Sequence, residues 1–263
     1  MPPPEFFQHQ ACYLTARILV EYSNGDSSIG SGFLCQLPIP QHSDRAAILL
    51  ISNKHVFGDP AGNIKISFNA KLSNGDPDHG NIKTFYQSDF AALYYPHPDE
   101  DVDLACINVS AIENTSVYYK TLHSSFLSPI APEAIPPGSD VIFIGYPENR
   151  FDQQNNLPII RKGSIASLPG IDFNGKPHII IDAQVFQGSS GSPVFVAVSG
   201  HYVLLGCVSA TMIRHAQLQT LPASDGALAV QQILGLGIVI KQSKVIELID
   251  LALNALSQSL DTA

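Results

Sequence analysis

Short apolar stretches rich in β-branched residues recur about every ten residues along the chain, and polar turns separate them. The turns contain mainly Gly, Pro, Asn and Asp, as in Asn24-Gly25-Asp26 and Asn174-Gly175-Lys176. Stretches of this length and spacing are typical of the strands of a sandwich or barrel, so the pattern predicts an all-β protein. The predicted strands cover residues 14–22, 30–37, 46–52, 64–69, 90–95, 104–109, 140–146, 159–167, 178–183, 193–198, 202–209 and 237–240.

A connector with four prolines, residues 127–138, divides the predicted strands into two halves of about six strands each. Two longer segments without the strand pattern, residues 148–157 and 214–232, are predicted to be surface loops. Long loops in compact domains are often functional. The second of them includes a stretch, residues 227–234, that could form a short helix.

The last part of the chain changes from strand to helix periodicity. Ser243 can cap a helix that runs to about Leu256, because Val245, Leu248 and Ala252 recur at the spacing of one helix face. We therefore expect a C-terminal helix that packs its apolar face on the second half.

Composition and charge exclude several classes of function. The chain has 263 residues, of which 45% are hydrophobic and 14% are charged, and its net charge is −9 with His neutral. Soluble domains carry about 25% charged residues on average, so this chain has ample apolar material for a core. Nucleic acid is not an expected partner, because binding to it relies on Lys and Arg. No apolar run approaches the roughly 20 residues of a membrane helix, so no membrane span is expected.

The N-terminal sequence and the cysteines point to the same compartment. Met1-Pro2-Pro3-Pro4-Glu5 lacks the basic segment and apolar stretch of a signal peptide, so we expect a cytoplasmic protein. Cys12, Cys35, Cys106 and Cys207 are widely spaced and lie beside apolar residues, which indicates reduced, buried thiols. A disulfide pair or a metal site stays open as the alternative. The sequence has no HExxH motif, no His/Cys cluster at ligand spacing and no glycine-rich nucleotide loop, so neither a metal nor a cofactor is expected.

Three polar residues stand out because each lies at the end of a predicted strand among small or turn-forming residues. His55 directly follows a buried strand, Asp103 opens a fully apolar one, and Ser190 lies in a glycine-rich turn. A serine hydroxyl is a poor nucleophile until a base removes its proton, and that base works best when an acid orients it. Taken together, the three residues favour a catalytic site with a serine nucleophile. The alternative is that each residue belongs to an unrelated turn.

The α/β-hydrolase elbow is a competing interpretation of the serine turn, and it fails. That motif requires Gly-x-Ser-x-Gly followed by a helix. Here Gly188-Ser189-Ser190-Gly191-Ser192 lacks the last glycine and precedes a predicted strand.

The order His55, Asp103, Ser190 and the residues around them resemble the chymotrypsin-like (trypsin-like) serine protease family. Ser52-Asn53-Lys54-His55-Val56 is similar to the His motif of its non-disulfide bacterial members, the HtrA-type proteases, and Asp103-Leu104-Ala105 to the Asp motif. Gly188-Ser189-Ser190-Gly191-Ser192-Pro193 is similar to the nucleophile motif Gly-Asp/Asn-Ser-Gly-Gly-Pro. Further similarities, listed in chain order, are Gly30-Ser31-Gly32-Phe33, Ile144-Gly145-Tyr146-Pro147 and Leu205-Gly206-Cys207-Val208-Ser209, so the resemblance covers roughly residues 12–256.

The resemblance implies a fold of two six-stranded antiparallel β-barrels with the active site between them. The barrels would span residues 12–126 and 139–241, and the C-terminal helix residues 243–257. His55 would be the general base, Asp103 would orient it, and Ser190 would attack the scissile carbonyl. The backbone N–H groups of Gly188 and Ser190 would form the oxyanion hole, and the Ser209 hydroxyl would hydrogen-bond the triad carboxylate.

The same resemblance places the walls of the primary substrate pocket. The pocket would be walled by Ser209, Ala210 and Thr211 on one strand and by Gly235 and Gly237 on another, with Gln184 or its neighbours near the base. None of these residues is acidic, so we expect cleavage after small or medium uncharged residues.

Two departures from the family motif bear on activity. Ser189 stands where digestive proteases carry an aspartate that pairs with a newly cut N-terminus, so activation by that ion pair is not expected. Ser192 replaces a glycine and would be strained if its φ were positive. The leading hypothesis is a serine endopeptidase that acts on proteins or peptides. The alternatives are a silent or latent protein of the same fold that binds a partner or awaits a protein activator, and an esterase that uses the same triad.

Overall fold

The computed structural model describes residues 4–131, 134–217 and 229–262, and it shows a mainly β protein with two sheets. Apart from short 3₁₀ turns, the described part of the first half contains one N-terminal helix, eight strands and the one-turn helix α2. In chain order these are α1 (Pro4–Leu14), β1 (Thr15–Glu21), β2 (Ser27–Ile39), β3 (His42–Ser52), α2 (Lys54–Phe57), β4 (Asn63–Lys71), β5 (Pro77–Ser88), β6 (Tyr94–Pro96), β7 (Ala105–Asn108) and β8 (Val117–Tyr118).

The second half contains six strands and the C-terminal helix. They are β9 (Asp140–Gly145), β10 (Ile159–Ile165), β11 (His178–Asp182), β12 (Pro193–Val198), β13 (His201–Gln217), β14 (Ala229–Lys241) and α3 (Gln242–Asp261). The strands close into an antiparallel barrel in the order β10-β11-β14-β13-β12-β9. Inward-facing β-branched and aromatic residues, which alternate with outward-facing ones, fill this barrel. They include Val141, Phe143, Ile181, Val194, Val196 and Val239.

The sheet of the first half does not close, which corrects the expectation of two closed six-stranded barrels. Its strand order is β5-β4-β1-β2-β3-β7-β6, with β8 beside β4. Strand β7 has only four residues, and β6 occupies its second edge through the pairs Tyr94↔Ile107 and Pro96↔Ala105. Among the described strands β5 pairs only with β4, so β5 and β6 are the two ends of the sheet.

Three local predictions were wrong. Residues 90–95, predicted as one strand, form a 3₁₀ turn at Ala91–Leu93 followed by the short β6. Residues 214–217 and 229–232, predicted to be loop, extend β13 and β14, so the helix expected over 227–234 is a strand where the structure describes it. The part of that loop at residues 218–228 lies outside the described residues.

Both ends of the described chain are helical. The predicted C-terminal helix is present and longer than expected, because α3 continues to Asp261. Helix α1 was not predicted, although Phe7, Ala11 and Leu14 recur at helix spacing and all three are buried. No helix in the described ranges is long and apolar enough to cross a membrane.

One hydrophobic cluster joins the two halves and α3, and it fixes the position of the cleft between them. It contains residues of the first sheet, of the second barrel and of α3, among them Phe33, Leu49, Ile51, Ile142, Ile144, Phe195, Val245, Leu248 and Ile249. Because this cluster is continuous, the ends of β3, β7 and β12 are held in one arrangement.

Candidate active site

His55 lies at the point where a buried strand of the first half ends. After β3, Asn53 precedes the one-turn helix α2, and Val56 and Phe57 are buried while His55 is exposed. The side-chain amide of Asn53 donates to the Asp103 carbonyl at 2.7 Å and so ties this turn to the loop before β7. The buried neighbours hold the helix in place and present the imidazole to the cleft.

The side-chain carboxylate of Asp103 accepts three hydrogen bonds, two of them from His55. Its Oδ2 lies 2.6 Å from His55 Nδ1, and its Oδ1 accepts the His55 backbone N–H at 3.1 Å. The Ser209 hydroxyl donates to Oδ2 at 3.2 Å. A carboxylate in this position makes Nδ1 the protonated ring nitrogen and leaves Nε2 as a free acceptor.

Ser190 lies on the loop before β12 and faces the same cleft as His55. The cleft has a volume of about 740 Å³ and is lined by His55, Gly188 and Ser190 together with residues of the loop after β9. The Ser190 hydroxyl donates to the Ser209 carbonyl at 3.1 Å, and among the described residues it makes no hydrogen bond to His55. Rotation about the Cα–Cβ bond would redirect Oγ, and catalytic hydrogen bonds are often poorly aligned in unliganded sites.

The backbone N–H groups of Gly188 and Ser190 are the donors expected for the oxyanion hole. In the described part of the chain neither the Gly188 nor the Ser190 N–H has a hydrogen-bond partner. The carbonyl side of each peptide is held instead. Gln187 O accepts from Glu148 N at 2.5 Å, and Ser189 O accepts from the N–H three residues later at 3.0 Å. These two hydrogen bonds restrain the rotation of both peptide planes.

Ser31, on β2 of the first half, holds the serine loop from the other side of the cleft. Its backbone N–H donates to Ser190 O at 2.8 Å, and its hydroxyl donates to Gly188 O at 2.8 Å. The same hydroxyl accepts from Tyr146 N at 2.9 Å, and Ser31 O accepts from the Ser52 hydroxyl at 2.6 Å. Ser31 therefore joins the serine loop, the end of β9 and the end of β3 in one network.

The loop requires glycine at two positions and not at a third. Gly188 and Gly191 have φ of 83° and 84°. A Cβ at Gly191 would lie 1.8 Å from Ser31 O, and one at Gly188 would lie 2.6 Å from Tyr146 O. Ser192 is not among the residues with positive φ, so the strain considered for this position is absent. The hydroxyls of Ser189 and Ser192 are buried with no hydrogen-bond partner among the described residues.

The structure places the predicted pocket residues on two adjoining strands. Ala210 and Thr211 of β13 pair with Ile238 and Gly237 of β14, and Thr211 donates to the Leu236 carbonyl at 3.4 Å. Ser209 precedes them, and the carbonyl of Gly235 accepts the Ala183 N–H at 2.9 Å. The predicted pocket residues Ser209, Ala210, Thr211, Gly235 and Gly237 therefore lie on two neighbouring, paired strands.

The residues expected near the base of the pocket, Gln184 or its neighbours, differ in exposure. Gln184 is exposed, whereas its neighbour Val185 is buried. A Cβ on Gly237 would lie 2.4 Å from Val185 Cγ2, so the valine side chain occupies the space over this glycine. Val185 is one of the neighbours of Gln184 expected there, although the sequence did not single it out, since a single apolar residue in a loop carries no distinctive signal.

Sequence reasoning also missed the groups that orient the serine loop. Ser31 lies in Gly30-Ser31-Gly32-Phe33, which resembles a motif of the family, but nothing in that motif assigns a role to its hydroxyl. The backbone of Glu148 acts through its N–H, which no side-chain pattern reports. Both contacts join residues more than 30 positions apart along the chain.

Comparisons with known proteins agree with this architecture. Residues 30–203 match the family model of the trypsin-like peptidase domain. A thermostable serine protease from an extremophilic microorganism is 14% identical, with a TM-score of 0.49 over 94% of this chain and 98% of that chain. An inactivated protease paralogue from the scabies mite is 16% identical, with a TM-score of 0.50 over 91% of this chain and 93% of that chain.

At 16% identity the structure of the scabies mite paralogue bears on the fold alone. No curated protein matches the chain. The family model, in contrast, covers more than half of the 263 residues and includes His55, Asp103 and Ser190. The chain therefore belongs to the family of trypsin-like peptidase domains, which are serine peptidases.

Proposed function

We propose that this protein is an endopeptidase that cleaves peptide bonds through Ser190, His55 and Asp103. The observation that carries the proposal is the 2.6 Å contact between His55 Nδ1 and Asp103 Oδ2, on the wall of a cleft that Ser190 also lines. A histidine whose tautomer is fixed by a carboxylate can accept a proton from a serine hydroxyl at neutral pH.

In the first half of the reaction the Ser190 hydroxyl turns from the Ser209 carbonyl to Nε2 of His55. His55 takes the proton as Oγ forms a bond to the scissile carbonyl carbon, and Asp103 stabilises the imidazolium. The proton then passes to the leaving amine, the C–N bond breaks, and an acyl group remains on Ser190.

The second half reverses these roles with water. His55 removes a proton from a water molecule, whose oxygen attacks the ester carbonyl, and the same proton returns to Ser190 Oγ as the carboxylic acid leaves. In both halves the negative oxygen of the tetrahedral intermediate accepts hydrogen bonds from the Gly188 and Ser190 N–H groups. Removing one such donor in other proteases lowers kcat by about 10²–10³.

The pocket wall supports a preference for small or medium uncharged side chains before the cleaved bond. Thr211 carries a side chain opposite Gly237, and Val185 fills space over that glycine. Neither residue can pair with Lys or Arg. Profiling with a peptide library tests this preference, and a dominant cleavage after Arg or Lys would contradict it.

A fluorophosphonate probe tests the nucleophile directly, because it reacts with serines that an adjacent base activates. We expect labelling of the wild type and of Ser189→Ala, which removes a buried hydroxyl without a described partner, and no labelling of Ser190→Ala. Cleavage of a casein substrate should follow the same order. Equal labelling of the wild type and Ser190→Ala would contradict the proposal.

One observation favours a second candidate, a latent or silent form of the same fold. In the described part of the chain, the Ser190 hydroxyl donates a hydrogen bond to the Ser209 carbonyl and makes none to His55. If this bond persists in solution, the folded wild type remains unlabelled, and a protein activator would be required to redirect the hydroxyl. Complete labelling of the isolated wild type would exclude this candidate.

A further inference from the structure

The segment after β9 leaves the second half and lies on the first sheet. Within residues 147–157, Asn155 O accepts the Asn69 side-chain amide at 2.8 Å, and the Asn156 amide donates to Ser67 O at 3.0 Å. Asn69 and Ser67 both belong to β4. The far end of this segment, which we name the crossing loop, is therefore anchored to the first half.

The near end of the crossing loop has an unusual backbone. Glu148 and Asn149 have φ of 49° and 56°, in the left-handed region that non-glycine residues rarely adopt. Arg17, on β1, donates from Nε to Asn149 Oδ1 at 2.5 Å. Its guanidinium also lies 5.5 Å from the centre of the Phe151 ring. A turn with this unfavourable backbone persists only where neighbouring groups hold it. Arg17 contacts it twice, at Asn149 and at Phe151.

This turn decides where the Glu148 N–H points. That N–H donates to Gln187 O at 2.5 Å and so holds the carbonyl of the peptide that joins Gln187 to Gly188. Gly188 has no side chain to restrict rotation of this peptide. If the Glu148 N–H moves away, the peptide can turn, and the Gly188 N–H no longer faces the cleft.

We propose that Arg17 is a positioning residue for the oxyanion hole. Through Asn149 it holds the left-handed turn, the turn directs the Glu148 N–H to Gln187 O, and this bond aims the Gly188 N–H at the reacting carbonyl. The inference rests on the proposed function, because it assigns a purpose to the same donor. It adds that the first sheet controls the donor from across the cleft.

The kinetic test compares Arg17→Ala with Arg45→Ala. Arg45 is an exposed arginine of β3 that does not line the cleft and therefore serves as the matched control. We expect Arg17→Ala to lower kcat between about 10-fold and 100-fold, part of the effect of losing one donor, while KM stays nearly unchanged. Arg45→Ala should match the wild type. Rates are divided by the concentration of active sites found by titration, so partial unfolding does not imitate the effect.

A peptide aldehyde gives a readout that a general loss of structure would not move. Its adduct with Ser190 places an oxygen in the oxyanion hole, so its affinity should fall by the same factor as kcat/KM in Arg17→Ala. Loss of kcat in Arg45→Ala to the same degree, or unchanged aldehyde affinity in Arg17→Ala, would overturn the proposal.

Crystal structures of the wild type and Arg17→Ala separate this inference from the proposed function. We expect the Glu148–Gln187 hydrogen bond and the left-handed turn to be lost in the variant. If both persist, Arg17 does not position the oxyanion hole, whatever the activity of the enzyme. If they are lost but the wild type neither reacts with fluorophosphonate nor cleaves casein, the positioning stands and the proposed function fails.

Discussion

Ser31 shows how much of the site depends on single polar atoms that meet across the cleft. The sequence places it in a motif similar to one of the family, and its N–H and hydroxyl contact Ser190 O and Gly188 O. His55 and Asp103 were predicted to interact, and His55 Nδ1 lies 2.6 Å from Asp103 Oδ2. Their catalytic roles, and those of Ser190 and the oxyanion donors, stay predictions. The partners of Ser31 could not be predicted, because they depend on backbone carbonyl directions in a loop more than 150 residues away.

Replacing Ser31 with alanine should lower both stability and kcat. The change leaves the buried Tyr146 N–H without its acceptor and the Gly188 carbonyl without a donor, and a buried unsatisfied group costs about 1–3 kcal/mol. The two measurements are the free energy of unfolding in urea and kcat per titrated active site. Ser67→Ala, which removes an exposed hydroxyl bonded to Thr84, is the control. A Ser31→Ala enzyme that equals this control in both would contradict the network described for Ser31.

At the scale of the element, the spacing of apolar residues predicted those helices and strands that bury one apolar face. The apolar stripe of α3 is visible in the sequence, and Val245, Leu248 and Ala252 are all buried. Strand β5 was missed because its residues are mostly exposed, so no alternation of apolar and polar positions marks it. It forms by pairing with β4 from Asn63↔Ser88 to Asn69↔Ile82 and beyond, which is a tertiary contact.

Truncating a side chain on the buried face of α3 should lower the free energy of unfolding more than truncating one on its exposed face. Leu248 is fully buried and Leu251 is 42% exposed on the same helix. Leu248→Ala should lower the free energy of unfolding by about 2–5 kcal/mol, because it removes apolar contacts and leaves a cavity. Leu251→Ala should cause a much smaller loss. Chemical denaturation measures both, and similar losses in the two variants would show that α3 does not pack as described.

At the scale of the whole molecule, the two halves share one hydrophobic cluster. Cys35 and Cys106 of the first half and Cys207 of the second half all belong to it, and all three thiols are free and buried. A shared cluster makes separate unfolding of either half costly, since either half would expose the apolar surface of the other. We therefore expect the halves to unfold together.

The three buried thiols report on this cooperativity. Burial raises the pKa of Cys35, Cys106 and Cys207, so little thiolate is present at neutral pH and alkylation of the native protein should be slow. Alkylation at increasing urea, followed for each thiol by mass spectrometry, should give one common midpoint. The half-buried Cys12 should react first and serves as the internal reference. Separate midpoints for Cys35 and Cys207 would contradict unfolding as one unit.

The sequence by itself determined the all-β class, the C-terminal helix and the family, because alternating apolar residues and short motifs are local properties of the chain. The tertiary structure alone decided that the first sheet stays open, because β5 pairs with β4 at one end while β6 occupies the outer edge of β7 at the other. It also decided that the Ser190 hydroxyl points to Ser209 and that the Gly188 N–H has no hydrogen-bond partner among the residues that the structure describes. These features depend on hydrogen bonds between groups far apart along the chain, whose directions no local pattern records.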